Sequence, residues 1–178
     1  GGNSEESNTA FNGHGGNDHF VAGGLIEPFM PSRMSVEYYD AKQGVVVNLG
    51  NSQITALGFT VASMTAKDGV GGTDTFDLSR GGEVQINGSD FADYFVGAAD
   101  RGNNFVGEIG NDSLIGGATA QDWANYWDND GDNPASNGII ANLSSGSITV
   151  ASETVLSNKV RDHHGNTDTL QSIENISG

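Results

Sequence analysis

Residues 89–117 read SDFADYFVGAADRGNNFVGEIGNDSLIGG. Within them Asp93-Tyr94-Phe95, Asn103-Asn104-Phe105 and Asp112-Ser113-Leu114 each set an acid or amide two residues before a large apolar side chain, and the last two units are nine residues apart. A recurring beat of this kind signals a repeat architecture. The glycines, among them Gly107, Gly110, Gly116 and Gly117, allow tight turns through positive φ. The apolar residue two positions after the acid faces inward on a short strand, because side chains alternate along extended chain. Carbonyls and carboxylates gathered in such a turn are hard oxygen donors, the kind that suit Ca²⁺. The same Asp can instead cap its own turn through backbone N–H groups, and both readings stand for Asp18, Asp93 and Asp112.

Gly110-Asn111-Asp112-Ser113-Leu114-Ile115-Gly116-Gly117, together with Gly15-Gly16-Asn17-Asp18-His19-Phe20-Val21, resembles the calcium-binding nonapeptide G-G-x-G-x-D-x-U-x of the repeats-in-toxin (RTX) family. The resemblance implies an all-β chain: a right-handed parallel β-roll, or β-solenoid, with calcium-binding turns and irregular loop insertions. Family members include secreted bacterial toxins, proteases, lipases, epimerases and adhesins. The chain departs from the pattern where Asn103 replaces Asp and where His14 and Glu108-Ile109 replace glycine.

Charge and composition agree with that picture. The 178 residues carry 23 acidic against 7 basic side chains, a formal charge of −16, with 27 glycines and no cysteine. Phosphate would repel such a chain, and no basic cluster offers counterion release, so nucleic acid is excluded as a partner. Without cysteine there are neither disulfides nor thiol catalysis. A hydrophobic content of 35% is low for a conventional core, so bound cations are expected to help hold the fold. No apolar run is long enough to span a bilayer. Gly1-Gly2-Asn3-Ser4 does not resemble the start of a signal peptide, and the chain reads as a piece of a longer protein.

Comparing each position with the one 94 further on gives Phe11/Phe105, Gly13/Gly107, Asp18/Asp112, Asn48/Asn142, Leu49/Leu143, Asp68/Asp162 and Thr73-Asp74-Thr75/Thr167-Asp168-Thr169. The aromatic pairs Tyr38-Tyr39 and Tyr126-Trp127 match at an offset of 88, which implies compensating insertions at 25–31 and 129–136. The chain is therefore expected to hold two β-roll modules, 1–88 and 89–178, continuous as one solenoid and monomeric. Ile86-Asn87-Gly88-Ser89 matches Ile176-Ser177-Gly178, so the sequence stops where a third copy would begin. Each copy predicts a glycine-Asp turn, an aromatic strand, an apolar strand (45–49; 139–143), a Ser/Thr-rich strand (53–55; 147–150), a second turn at Asp74 or Asp168 and a last short strand. Thr65-Ala66-Lys67-Asp68 has room for one helical turn at most.

The candidate calcium ligands are Asp18, Asp74, Asp93, Asn103, Asp112, Asp168 and Asp90, with Asp128, Asp130 and Asp132 as a separate acidic loop. That loop spaces carboxylates as an EF-hand does but has Ile139 where the closing Glu belongs. His14, His19, His163 and His164 lack the spacing of a transition-metal site. Tyr38, Tyr39, Trp123, Tyr126 and Trp127 read as core packing or as a sugar platform. There is no G-x-S-x-G elbow and no phosphate loop, so no enzyme is expected. The leading expectation is a calcium-binding structural module of a secreted or cell-surface bacterial protein such as an adhesin, folding on calcium outside the cell. The alternatives are a glycan- or surface-ligand-binding module, or a non-catalytic accessory module of an extracellular polysaccharide-active or proteolytic enzyme.

Overall fold

The computed structural model describes residues 8–22, 33–80, 82–118, 121–127 and 138–178, and among these every regular element is a strand. In chain order they are β1 (Asn8–Asn12), β2 (His19–Val21), β3 (Arg33–Glu37), β4 (Val46–Asn48), β5 (Ile54–Ala56), β6 (Phe59–Val61), β7 (Thr65–Lys67), β8 (Thr73–Asp77), β9 (Glu83–Asn87) and β10 (Tyr94–Val96). There follow β11 (Asn103–Val106), β12 (Ser113–Ile115), β13 (Trp123–Asn125), β14 (Ile140–Asn142), β15 (Ile148–Val150), β16 (Glu153–Val155), β17 (Lys159–Arg161), β18 (Thr167–Gln171) and β19 (Asn175–Ser177). The loops 25–31 and 129–136, and with them Asp128, Asp130 and Asp132, lie outside the described residues. No described helix is long and apolar enough to cross a membrane.

Two principal sheets take up fifteen of these strands. One has six strands in the order β1-β3-β9-β11-β13-β19, parallel at every pair. The other has nine, in the order β14-β17-β18-β12-β10-β4-β7-β8-β2. The chain crosses back and forth between them, and β1 to β9 repeats the order of sheets found in β11 to β19, with β10 as the join. Strand pairing runs through the join, since β9 pairs β11 and β10 pairs both β4 and β12.

The alternation expected of half-buried strands decides what fills the space between the sheets. From the parallel sheet the row Phe11, Val36, Ile86, Phe105, Ala124 and Ile176 is in register. From the other sheet come Phe20 beside Phe76, and Val47, Phe95, Leu114 and Leu170. All but Phe11 and Ile176 are buried. Phe95 and Phe105 meet across the gap with ring centroids 5.9 Å apart in a tilted pair, and Phe11 and Phe20 do so at 5.5 Å.

The nine-stranded sheet is mixed rather than parallel throughout. β7 runs antiparallel to both β4 and β8, and β17 runs antiparallel to β14 and β18. Thr65-Ala66-Lys67 is therefore strand, not a helical turn, and Asp74 and Asp168 lie within β8 and β18, not in turns. The cause is a hairpin that reverses the chain in each copy, β5–β6 and β15–β16. Both central residues of each turn have positive φ, Leu57 at 48° with Gly58 at 81° and Ala151 at 48° with Ser152 at 75°, as a tight two-residue hairpin requires. Leu-Gly and Ala-Ser lack the Asn-Gly or Asp-Gly signature of such turns, so the sequence hides them.

Candidate metal centre

The glycine-acid spacing has a direct steric cause. At Gly13, Gly88 and Gly107, each five residues before an Asp, an added Cβ would collide with Oδ2 of Asp18, Asp93 and Asp112 respectively. The carboxylate lies over the glycine Cα, so only hydrogen fits beneath it. Position Gly110, with φ of 151°, opens the following turn and approaches the carbonyl of Phe91 closely.

What the carboxylates do there is hold backbone. Asp93 Oδ1 accepts from Val45 N–H at 2.6 Å and from the Ser89 hydroxyl at 2.8 Å, while Oδ2 accepts from Ser89 N–H at 2.7 Å. Asp93 N–H in turn donates to Asp112 Oδ1 at 2.8 Å, and Asp112 N–H donates to Asp168 Oδ1 at 2.9 Å. In the first copy Asp18 N–H donates to Asp74 Oδ1 at 3.0 Å. Each acid thus reaches across to the neighbouring strand, forming ladders along one margin of the nine-stranded sheet. A second ladder serves the parallel sheet: Asn103 N–H and Nδ2 donate to Asp122 Oδ1 at 2.8 and 2.7 Å, and Asp122 N–H donates to Glu174 Oε2 at 2.9 Å.

Asp74, Asp93, Asn103, Asp112 and Asp168 are almost entirely buried, and Asp18 is half-buried. Asp90 is exposed and stands outside the ladders. Asp122, Glu174, Asp68 and Asp162 were not singled out from sequence. Asp122 lies as far beyond Asn103 as Asp112 lies beyond Asp93, and that longer period would have found it. Asp68 and Asp162 are also buried; their match at offset 94 marked them as a pair without suggesting a role. Asp68 Oδ1 accepts N–H groups of Val70, Gly71 and Gly72, and Asp162 Oδ1 accepts that of Asn166.

Two equivalent clusters result. In the first, the charges of Asp74, Asp68 and Asp18 all act on Tyr38, whose hydroxyl donates to Asp74 Oδ2 at 3.1 Å. In the second, those of Asp168, Asp112 and Asp162 act on Tyr126, whose hydroxyl stands beside Asp168. Asp18 Oδ2 and its counterpart Asp112 Oδ2 are buried without a hydrogen-bond partner, as are Asp68 Oδ2 in the first cluster and Asp168 Oδ2 in the second. The counterparts of these last two differ: Asp162 Oδ2 accepts from Asn166 Nδ2 at 3.2 Å and Asp74 Oδ2 from the Tyr38 hydroxyl. Burial, then the charge of Asp168, raises the Asp112 carboxyl to about 9; burial raises Asp93 and Asp168 to about 7 and moves Asp74 upward. Acids packed this closely need a proton or a cation between them.

Among the described residues no three acidic or histidine side chains stand in metal-holding geometry. The donor set is nevertheless all oxygen, and each cluster holds two unpartnered carboxylate oxygens, which fits a hard cation in kind. The histidines lie elsewhere. His14 contacts Asp40 at 2.8 Å, His19 contacts Thr75 at 2.8 Å, and His163 and His164 stack on each other.

The aromatic pairs divide the same way in each copy: Tyr38 and Tyr126 are buried, Tyr39 and Trp127 exposed. Trp123 and Trp127 line a shallow groove of about 300 Å³ with Arg33, Glu83, Asn104 and Asn125.

Compared with protein-family models, with curated proteins and with solved structures, the chain matches none.

Proposed function

We propose that the chain is a calcium-binding, non-catalytic structural module: a right-handed parallel β-roll of the RTX type, interrupted in each copy by a hairpin insertion, from a secreted or cell-surface bacterial protein such as an adhesin. The observation that carries this reading is the pair of buried carboxylate clusters, one in each copy, each holding two carboxylate oxygens without a hydrogen-bond partner. Asp18, Asp68 and Asp74 would hold an ion in the first copy, and Asp112, Asp162 and Asp168 in the second. Asp93 belongs to the same ladder as the second set. A bound calcium ion would supply positive charge and ligand bonds between carboxylates that otherwise repel one another. The chain's own part is to fix those carboxylates: backbone amides hold one oxygen each of Asp68, Asp74, Asp112, Asp162 and Asp168, and Gly13, Gly72 and Gly107 leave room for Asp18, Asp68 and Asp112. Because the unfolded chain gathers no such cluster, binding free energy becomes folding free energy. The parallel pairing in register along the six-stranded sheet and the regular crossing between sheets support the roll, and right-handed crossovers are the rule for parallel strands.

The test is isothermal titration of the metal-stripped chain with calcium, repeated on Asp112→Asn. The wild-type chain takes up several ions and the variant loses at least one. Equal stoichiometry in both would refute the assignment of the second cluster.

The Trp123–Trp127 groove favours a second reading, a glycan-binding face. Two exposed indoles beside amide and charged side chains offer stacking and hydrogen bonding to a sugar. A glycan-array signal abolished by Trp127→Ala supports it, and an array without signal retires it.

A further inference from the structure

β4 and β14 are the same strand of the two copies, yet their surroundings differ. Val45, Val46, Val47 and Leu49 are fully buried, whereas Ile139, Ile140 and Ala141 are half exposed and Leu143 is 43% exposed. What covers the first set is β10. It adds in parallel to β4 in the register Tyr94 to Val46 and Phe95 to Val47. Its ends are pinned by three bonds: Val45 N–H to Asp93 Oδ1, Tyr94 N–H to the Val45 carbonyl at 2.9 Å, and Leu49 N–H to the Val96 carbonyl at 2.8 Å. At β14 no described strand takes that place.

The parallel sheet ends the same way. β19 corresponds to β9, whose far side pairs with β11 in the register Ile86 to Phe105. Ile86 is fully buried, while its counterpart Ile176 is half exposed and β19 is the last described strand of its sheet. The two open strands stand at one end of the molecule, and Gly178 lies against the side chain of Ile139. Open edges with apolar side chains beneath them attract another strand.

We propose that this end is a docking surface for one further coil of the kind formed by residues 89–106. The incoming coil places a strand beginning Asp-x-Phe parallel to β14. Its carboxylate caps the Ile139 N–H, its Phe covers Ile139, Ala141 and Leu143, and its following strand adds to β19. The interface already exists within the molecule between β10–β11 and β4–β9, and the open end continues it. A second copy of this chain does not supply this coil: its β10 is already paired on both sides by β4 and β12, so its edge strand β1, the counterpart of β11, could reach β19 but would leave β14 uncovered. This inference rests on strand pairing and burial, and stands apart from the assignment of calcium.

The experiment is amide hydrogen exchange by NMR on the chain as it is and on the chain extended after Gly178 by a copy of residues 89–107. In the unextended chain the Ile139 and Leu143 amides exchange fast while Val45 and Leu49 are protected. The extension slows Ile139 and Leu143 by about 100-fold, in line with joining a cooperative unit, and raises Tm. Asp93→Ala with Phe95→Ala in the appended copy abolishes both effects. The proposal is overturned if the extension leaves these two amides unchanged, if they are already protected without it, or if the unextended chain dimerises through this end.

Discussion

The contact between a glycine Cα and a carboxylate is the smallest feature on which the molecule depends. Gly107 illustrates it. A methyl group there meets the Asp112 side chain, whose carboxylate is tethered by the Asp93 N–H and has little freedom to yield. Gly107→Ala is expected to cost about 2–3 kcal/mol in urea unfolding, as overpacking at a closed site does. Gly146, which has nothing within 4 Å of its would-be Cβ, should tolerate Ala within about 0.5 kcal/mol. The same acids set a pH dependence. Asp93 and Asp168 are raised to about 7 and Asp112 to about 9, from an ordinary value near 4 in the unfolded chain. Between those values the folded state holds protons that the unfolded state does not. Stability of the cation-free chain therefore falls as pH rises from about 4, by roughly 1.4 kcal/mol per pH unit for each carboxylate until the pH passes its own raised value, about 7 for Asp93 and Asp168 and about 9 for Asp112. Melting in chelator from pH 5 to pH 8 should show Tm dropping, and a rising Tm would contradict the burial of these acids.

The acid-x-apolar units were legible in sequence because a short strand preserves their spacing. Asp93-Tyr94-Phe95 and Asp112-Ser113-Leu114 sit in register on adjacent strands as that spacing implies. The hairpins were not legible. Their turns use Leu57-Gly58 and Ala151-Ser152, and their outer faces are exposed, so neither turn chemistry nor alternation announces them. What fixes them is a buried asparagine. Asn48 Nδ2 donates to the carbonyls of Ser52, Val61 and Ala62, and its Oδ1 accepts from Gly50 N–H. Asn142 repeats this with Gly146, Val155 and Ser144. Asn48→Ala removes three hydrogen bonds that tie the hairpin down, the one to the Val61 carbonyl buried, and is expected to cost about 2–3 kcal/mol. Hydrogen exchange should show the loss concentrated in β5 and β6. Asp74 and Asp168 were misplaced in turns for the same reason, since the reversal that puts them inside strands begins at these hairpins.

Duplication is the feature of the whole molecule that sequence disclosed most fully. The offset of 94 predicted equivalent halves, and β1–β9 and β11–β19 follow one order. Less visible was how the halves share their sheets, because β10 has no partner in the offset and yet ties β4 to β12. Charge also acts on the entire chain. At −16, with buried acids clustered in both copies, the compact state works against its own repulsion until protons or cations intervene. On the calcium-binding reading proposed above, millimolar calcium would supply that neutralisation and its removal would leave the chain expanded.

The most direct test is circular dichroism of the metal-stripped chain at pH 7.5 during calcium titration, with calorimetry on the same samples. A cooperative gain of β signal accompanied by uptake of several ions is the expected result. A full β spectrum in excess chelator, with no heat of calcium binding and an unchanged Tm, would contradict it.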